Sequence, residues 1–144
     1  MMKKLLILLI LTFVQFSNLS AQSTGKVPKN LKECMIALDE HLTKTDQYNF
    51  IRHKEEDLAH AYNLSVGAYI RSHWGLNDGD SDLYYFFEER GISEAHTMSN
   101  IILVSYHRVK KGTFINLERQ IEDYIGEKQL NKVKKKLKKE GKEI

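Results

Sequence analysis

The sequence predicts an all-α protein, a compact bundle of about five helices after a cleaved signal peptide, and three observations carry that expectation. From Asn30 onward apolar residues recur at three- and four-residue spacing, the period of a helix with one buried face. Alternating β-branched runs bounded by turn residues, which strands require, are almost absent. The chain opens with Lys3 and Lys4 ahead of a nearly unbroken apolar run from Leu5 to Val14, the layout of a bacterial-type secretory leader.

That run is well short of the roughly 20 residues a bilayer-spanning helix needs, and Gln15, Ser17 and Asn18 interrupt it. Small residues follow at Ser20 and Ala21, so residues 1–21 read as the signal peptide with cleavage near Ala21. The expectation is a secreted or periplasmic chain with no transmembrane segment once processed. Residues 22–29 read as an extended entry, 30–127 as the helical domain and 128–144 as a basic helical or frayed tail.

Asn30, with Glu33 three residues later, has the pattern of a capping box opening a first helix that carries Leu31, Cys34, Met35, Leu38 and Leu42 and ends near Thr43. A second helix is expected to begin between Asp46 and Arg52 and run to about His73, with Leu58, Tyr62, Ser65, Ala68 and Tyr69 in helical register and Gly75 ending it. Asn77 to Ser81 is a Gly- and Asp-rich loop, and Asp80 or Ser81 can cap a short third helix with Leu83, Tyr84, Phe86 and Phe87 that Gly91 closes. Ser93 or Thr97 can start a fourth, strongly apolar helix through Met98, Ile101, Ile102 and Val104, with lysines at its end near the negative pole of the dipole. The last helix starts near Asn116; its first half is expected to dock on the core and its second half to project.

The chain has 144 residues, 42% of them apolar and 28% charged, which suits one domain with one core and excludes a wholly disordered chain. Its single cysteine, Cys34, forbids an internal disulfide and reads as a small buried hydrophobe, with a reactive thiol or an intermolecular disulfide as the alternative. Charge is unevenly spread: residues 128–144 hold eight lysines against two glutamates, whereas residues 22–127 hold 12 Lys and Arg against 17 Asp and Glu.

Two stretches carry a family resemblance. Gly67-Ala68-Tyr69-Ile70-Arg71-Ser72-His73-Trp74-Gly75-Leu76, and later Met98-Ser99-Asn100-Ile101-Ile102-Leu103-Val104-Ser105-Tyr106-His107-Arg108, resemble an uncharacterised bacterial domain with G-x-x-I-R-x-x-W-G-L and M-S-x-I-I-L-x-x-Y-H-R elements. The resemblance spans about Val27 to Gly112. It implies a shared fold, and it transfers no activity because the family is one of unknown function.

His60, Arg71, Trp74, Tyr106, His107 and Arg108 are the candidate ligand-binding residues, since arginine offers a planar fork to a carboxylate or phosphate. Against this stands a structural reading, the favoured one, in which Arg71 pairs with an internal carboxylate such as Glu56, Asp57 or Glu88 and the Trp74 N–H bonds a carbonyl. His53, Glu56, Asp57 and His60 could share a helical face, but H-K-E-E-D-L-A-H lacks the H-E-x-x-H spacing of zinc helices, so no metal ligand is assigned and no cofactor is implied. No G-x-S-x-G elbow or Gly-rich phosphate loop is present.

The lysines of the tail, Lys132, Lys134, Lys135, Lys136, Lys138 and Lys139 among them, read first as a solvated helix end and then as a weak contact with an anionic surface. Nucleic acid is not expected, because arginines and interleaved aromatics are missing from the tail. The functional expectation is an exported binding or interaction module of the cell envelope whose partner is a protein or a small anionic ligand. A small hydrolase or metal-dependent enzyme using a His/Arg pocket is the alternative.

Overall fold

A computed structural model of the chain describes residues 25–144, so the expected signal peptide lies outside the described residues. Among the described residues there are eight α-helices, one 3₁₀ turn and no strand. The helices are α1 (Leu31–His41), α2 (Lys44–Arg52), α3 (Leu58–Tyr62), α4 (Val66–His73), α5 (Asp82–Glu88), α6 (Ala95–Lys110), α7 (Leu117–Ile125) and α8 (Glu127–Lys139), with the 3₁₀ turn at Glu55–Asp57. None is long and apolar enough to cross a membrane.

The bundle is built around α6, the longest helix, which packs against α1, α2, α3, α4, α5 and α7. Its Met98, Ile101, Ile102, Leu103 and Tyr106 are fully buried and meet Leu38, Phe50, Leu58, Ile70, Leu83, Phe87 and Ile121 in one core. Helix starts follow local chemistry. The Asn30 side chain accepts from the Glu33 N–H, while the Glu33 carboxylate turns outward to accept from the Lys29 N–H. Ser81 caps α5 by accepting from the Tyr84 N–H, and Gly91 closes that helix at φ 86°.

The expected count of five helices is corrected where two of them divide. The second helix does not run unbroken to His73. Thr43 and Asp46 form a reciprocal capping box that starts α2 at once after α1. The chain then turns extended at His53 and Lys54, and breaks again at Ser65, so α2, the 3₁₀ turn, α3 and α4 replace one long helix. The last helix also divides, at Gly126, whose φ of 78° is open to glycine at little cost.

That second division overturns the projecting tail. α8 folds back against α7 and buries Leu130, Val133 and Leu137, so its apolar face is not free to lie in a membrane surface. Beyond α8 the Arg90 guanidinium donates to the Glu143 carbonyl at 2.6 Å, and Ile144 packs on the core. Cys34 is wholly buried, and burial together with nearby Glu33 pushes its thiol far above the usual range, so the reactive-thiol and intermolecular-disulfide alternatives fall away.

A docked α8 makes a quantitative demand. Leu137→Ala should lower unfolding free energy by about 2–4 kcal/mol in a urea titration, the cost of emptying a core site. A projecting tail would register less than about 0.5 kcal/mol.

Candidate ligand-binding site

The two family-like stretches meet through one buried side chain. Arg71, 6% exposed, donates from Nη1 to the Ser99 hydroxyl at 3.0 Å and from Nη2 to the Asn63 carbonyl at 2.9 Å. No carboxylate pairs with it among the described residues, so the expected partners Glu56, Asp57 and Glu88 are corrected to two neutral oxygens. Burial pulls the guanidinium below its ordinary range. Ser99 in turn donates to the His96 carbonyl at 2.9 Å. Gly67, one turn before Arg71, makes room for this: a Cβ there would stand 3.0 Å from the Tyr62 oxygen and 3.1 Å from Arg71 Nη1.

His107 is 3% exposed, and its Nε2 lies 2.9 Å from the His53 carbonyl, which requires a proton on Nε2, while Nδ1 is buried with no partner among the described residues. Arg108 spans two segments, donating from Nε to Glu55 at 2.9 Å and from Nη1 to the Ile115 carbonyl at 2.6 Å. Its hydrogen bond to Glu55 holds that carboxyl below the usual carboxylate range. Tyr106 is fully buried and donates to Asp39 at 2.8 Å. Burial opposes the charge of Asp39, yet the hydrogen bonds from Lys110 and Tyr106 outweigh it and keep the carboxyl low.

Arg71, Tyr106, Arg108 and the Nε2 of His107 therefore serve the fold, and His107 Nδ1 is buried rather than presented to a ligand. His60 is exposed on α3 and bonds to none of the other five among the described residues. The helical face that would have joined His53 to His60 is broken at His53 and Lys54, and among the described residues no three His, Cys, Asp or Glu side chains are grouped to hold a metal ion.

Open space lies elsewhere, along α1, α2 and α4. His41 stacks on Tyr69 with centroids 3.9 Å apart and an 11° interplanar angle, and Tyr69 stacks on His73 at 4.4 Å and 23°. Two rings cannot share one face of a third at these separations, so the phenol is held between the two imidazoles. On one side is a groove of about 390 Å³ lined by His41, Asp46, Asn49, Phe50, Tyr62 and Tyr69, in which Phe50 and Tyr62 form a second ring pair at 4.5 Å. Burial raises the Tyr62 hydroxyl above its ordinary range, with Asp46 adding to the effect. On the other side is a groove of about 480 Å³ bordered by Lys26, Glu40, His73 and Trp74. Trp74 is thus the one sequence candidate that reaches this region, edge-on to Tyr69 at 6.1 Å. Sequence reasoning missed this cluster: the one-turn spacing of Tyr69 and His73 was the only signal for it, and His41, from another helix, carried none.

A Ser–His contact here is not a nucleophile and its base. Ser72 Oγ is 2.9 Å from His73 Nδ1, but its proton goes to the Ala68 carbonyl at 2.9 Å. Nδ1 also faces the Tyr69 carbonyl at 3.2 Å, so it carries a proton and donates.

The model of one protein family matches residues 27–110, more than half of the 144 residues. The chain belongs to the family described as domain of unknown function DUF6794. No curated protein and no solved structure matches it. The family region runs from the extended entry to the end of α6 and takes in Arg71, Ser99, His107 and the stacked rings; α7 and α8 lie beyond it.

Two outcomes follow for the buried polar joints. Ser99→Ala should cost about 1–3 kcal/mol in chemical denaturation, because Arg71 Nη1 is left without its acceptor. Glu55 has a depressed folded value, so its stabilisation is complete above the unfolded carboxyl range of about 4.3 and is lost as pH falls through the lower folded value. Melting followed from about pH 5 to pH 3 should therefore drop less steeply for Glu55→Gln than for the parent chain.

Proposed function

We propose that this chain is an exported binding module of the bacterial cell envelope, and that it holds a saccharide in the groove beside the His41–Tyr69–His73 sandwich. One observation carries the reading: the exposed His41 ring and the half-buried Tyr62 ring border an open groove together with a carboxylate, Asp46, and an amide, Asn49. Flat aromatic faces suit the C–H face of a sugar ring, and carboxylate and amide oxygens accept from its hydroxyls. The volume of about 390 Å³ is that of a one- or two-ring ligand site. The apolar leader of residues 1–21 supports export, and the envelope supplies the amino sugars of its wall and surface polymers. Arg71, His107 and Arg108 act as the frame, which leaves the enzymatic alternative without an activated nucleophile or a paired acid and base among the described residues.

The chain's single tryptophan, Trp74, touches the same aromatic cluster and serves as the reporter. Titrating N-acetylglucosamine and its soluble oligomers into the chain from Gln22 onward should change Trp74 fluorescence saturably. Tyr69→Leu, which removes the ring that His41 stacks on, or Asp46→Asn should weaken that binding at least about tenfold. Because Asp46 caps α2 and Tyr69 packs the aromatic cluster, both variants should also melt lower, and the titrations are read where circular dichroism shows each one folded. A flat titration with every amino sugar, or equal binding by both variants, would end this reading.

A further inference from the structure

We infer that α8 is an electrostatic docking face for an anionic lipid bilayer, formed by Lys128, Lys132, Lys135 and Lys139. At about 100° per residue these four fall within about 60° of arc and run about 16 Å along the helix. All four are exposed, and Lys136 and Lys138, also exposed, flank them. The opposite side of α8 is the buried face of Leu130, Val133 and Leu137. Since that face is spent on the core, the lysines are held in line on a fixed rod, and the contact they make is one of charge without insertion.

Other lysines of this region are already paired. Lys134 reaches Glu118 at 2.7 Å, and Lys142 reaches Glu89 at 2.6 Å. None of the four stripe lysines, nor Lys136 or Lys138, has a carboxylate within ion-pair distance among the described residues, and residues 1–24 contain no Asp or Glu. Six cations left in water on one element, beside a body that carries more acids than bases, give the molecule a charge axis. A negative plane draws α8 down and pushes the acidic body away.

A plane is the partner because of shape and composition. The stripe lies along the outer side of a single helix, and the groove of about 710 Å³ that Lys135 and Lys138 border is also lined by Glu118 and Glu143, carboxylates that repel a phosphate strand. It carries no aromatic to stack on a base and no arginine to grip a phosphate bidentately, which sets it apart from a nucleic-acid surface. α8 also lies outside the family-matched residues 27–110. The inference is independent of the saccharide groove.

The test is co-sedimentation of the chain from Gln22 onward, which contains every described residue, with vesicles of phosphatidylcholine alone or mixed equally with phosphatidylglycerol. The expected result is binding to the mixed vesicles only, lost on raising salt from about 0.05 to 0.5 M. Replacing all four stripe lysines by glutamine should weaken binding at least about 100-fold, at roughly fivefold per lysine, whereas replacing them by arginine should retain it. Circular dichroism melts of both variants should match the parent's, since the substituted side chains are exposed, and amino-sugar titration of the glutamine variant keeps failure of this inference separate from failure of the groove. Equal binding to neutral vesicles, or undiminished binding by the glutamine variant, would overturn the proposal. So would lysine-dependent retention on heparin or duplex DNA with no vesicle binding, which would assign the stripe to a polymer instead.

Discussion

Short helices have a carbonyl problem, and its solution organises this molecule. Every helix leaves its last four C=O groups without an intrahelical partner, and a bundle of eight helices has many such ends close to the core. Water cannot reach all of them. Buried side chains with N–H groups do: Arg71 takes the Asn63 carbonyl, His107 that of His53, Arg90 that of Phe86, and Gln47 those of Asp39 and Leu42, while Arg108 and Arg90 do the same for the loop carbonyl of Ile115 and the terminal one of Glu143. An unmet carbonyl in an apolar interior costs on the order of 1–3 kcal/mol, so these joints are conditions for the chain path rather than additions to it.

The same constraint explains why the residues most suggestive of a ligand site are the ones least available for one. Arginine and histidine in apolar helices look like a binding cluster when only their types and spacing are known. Here each is aimed at a break in the backbone, and the break exists where the side chain can reach it. The extended turn at His53 and the interruption around Asn63 to Ser65 would leave bare carbonyls without His107 and Arg71. What remains open to solvent is the aromatic surface along α1, α2 and α4, where ring faces line two grooves and few polar atoms are spent on the interior.

The C-terminal region shows the converse arrangement, in which charge is left on the outside because apolar side chains have been taken in. With Leu130, Val133 and Leu137 turned to the core, the lysines of α8 have no choice but the solvent side. Fixing the helix also fixes their spacing, and a rigid row of like charges interacts with a charged plane more strongly than the same charges on a frayed end, which lose conformational freedom on contact.

The all-α class, the caps at Asn30 and Ser81, the stops at Gly75 and Gly91, and the apolar face of α6 were all written in residue type and spacing. They are legible because each depends on neighbours within one or two turns. Family membership was legible for the same reason, through two local strings. The division of the second helix was not, because Leu58, Tyr62, Ser65 and Tyr69 keep helical register across the breaks, and only donors from Arg71 and from distant His107 make those breaks affordable. The docking of α8 was likewise hidden: its apolar positions are equally consistent with a solvated end, and the turn at Gly126 and the anchoring of Glu143 by Arg90 decide between them. The pairing of His41 with Tyr69 also required the fold, since it joins two helices whose contact no local pattern specifies. Local chemistry set where elements start and stop, and long-range donors, aromatic faces and burial settled which of them meet.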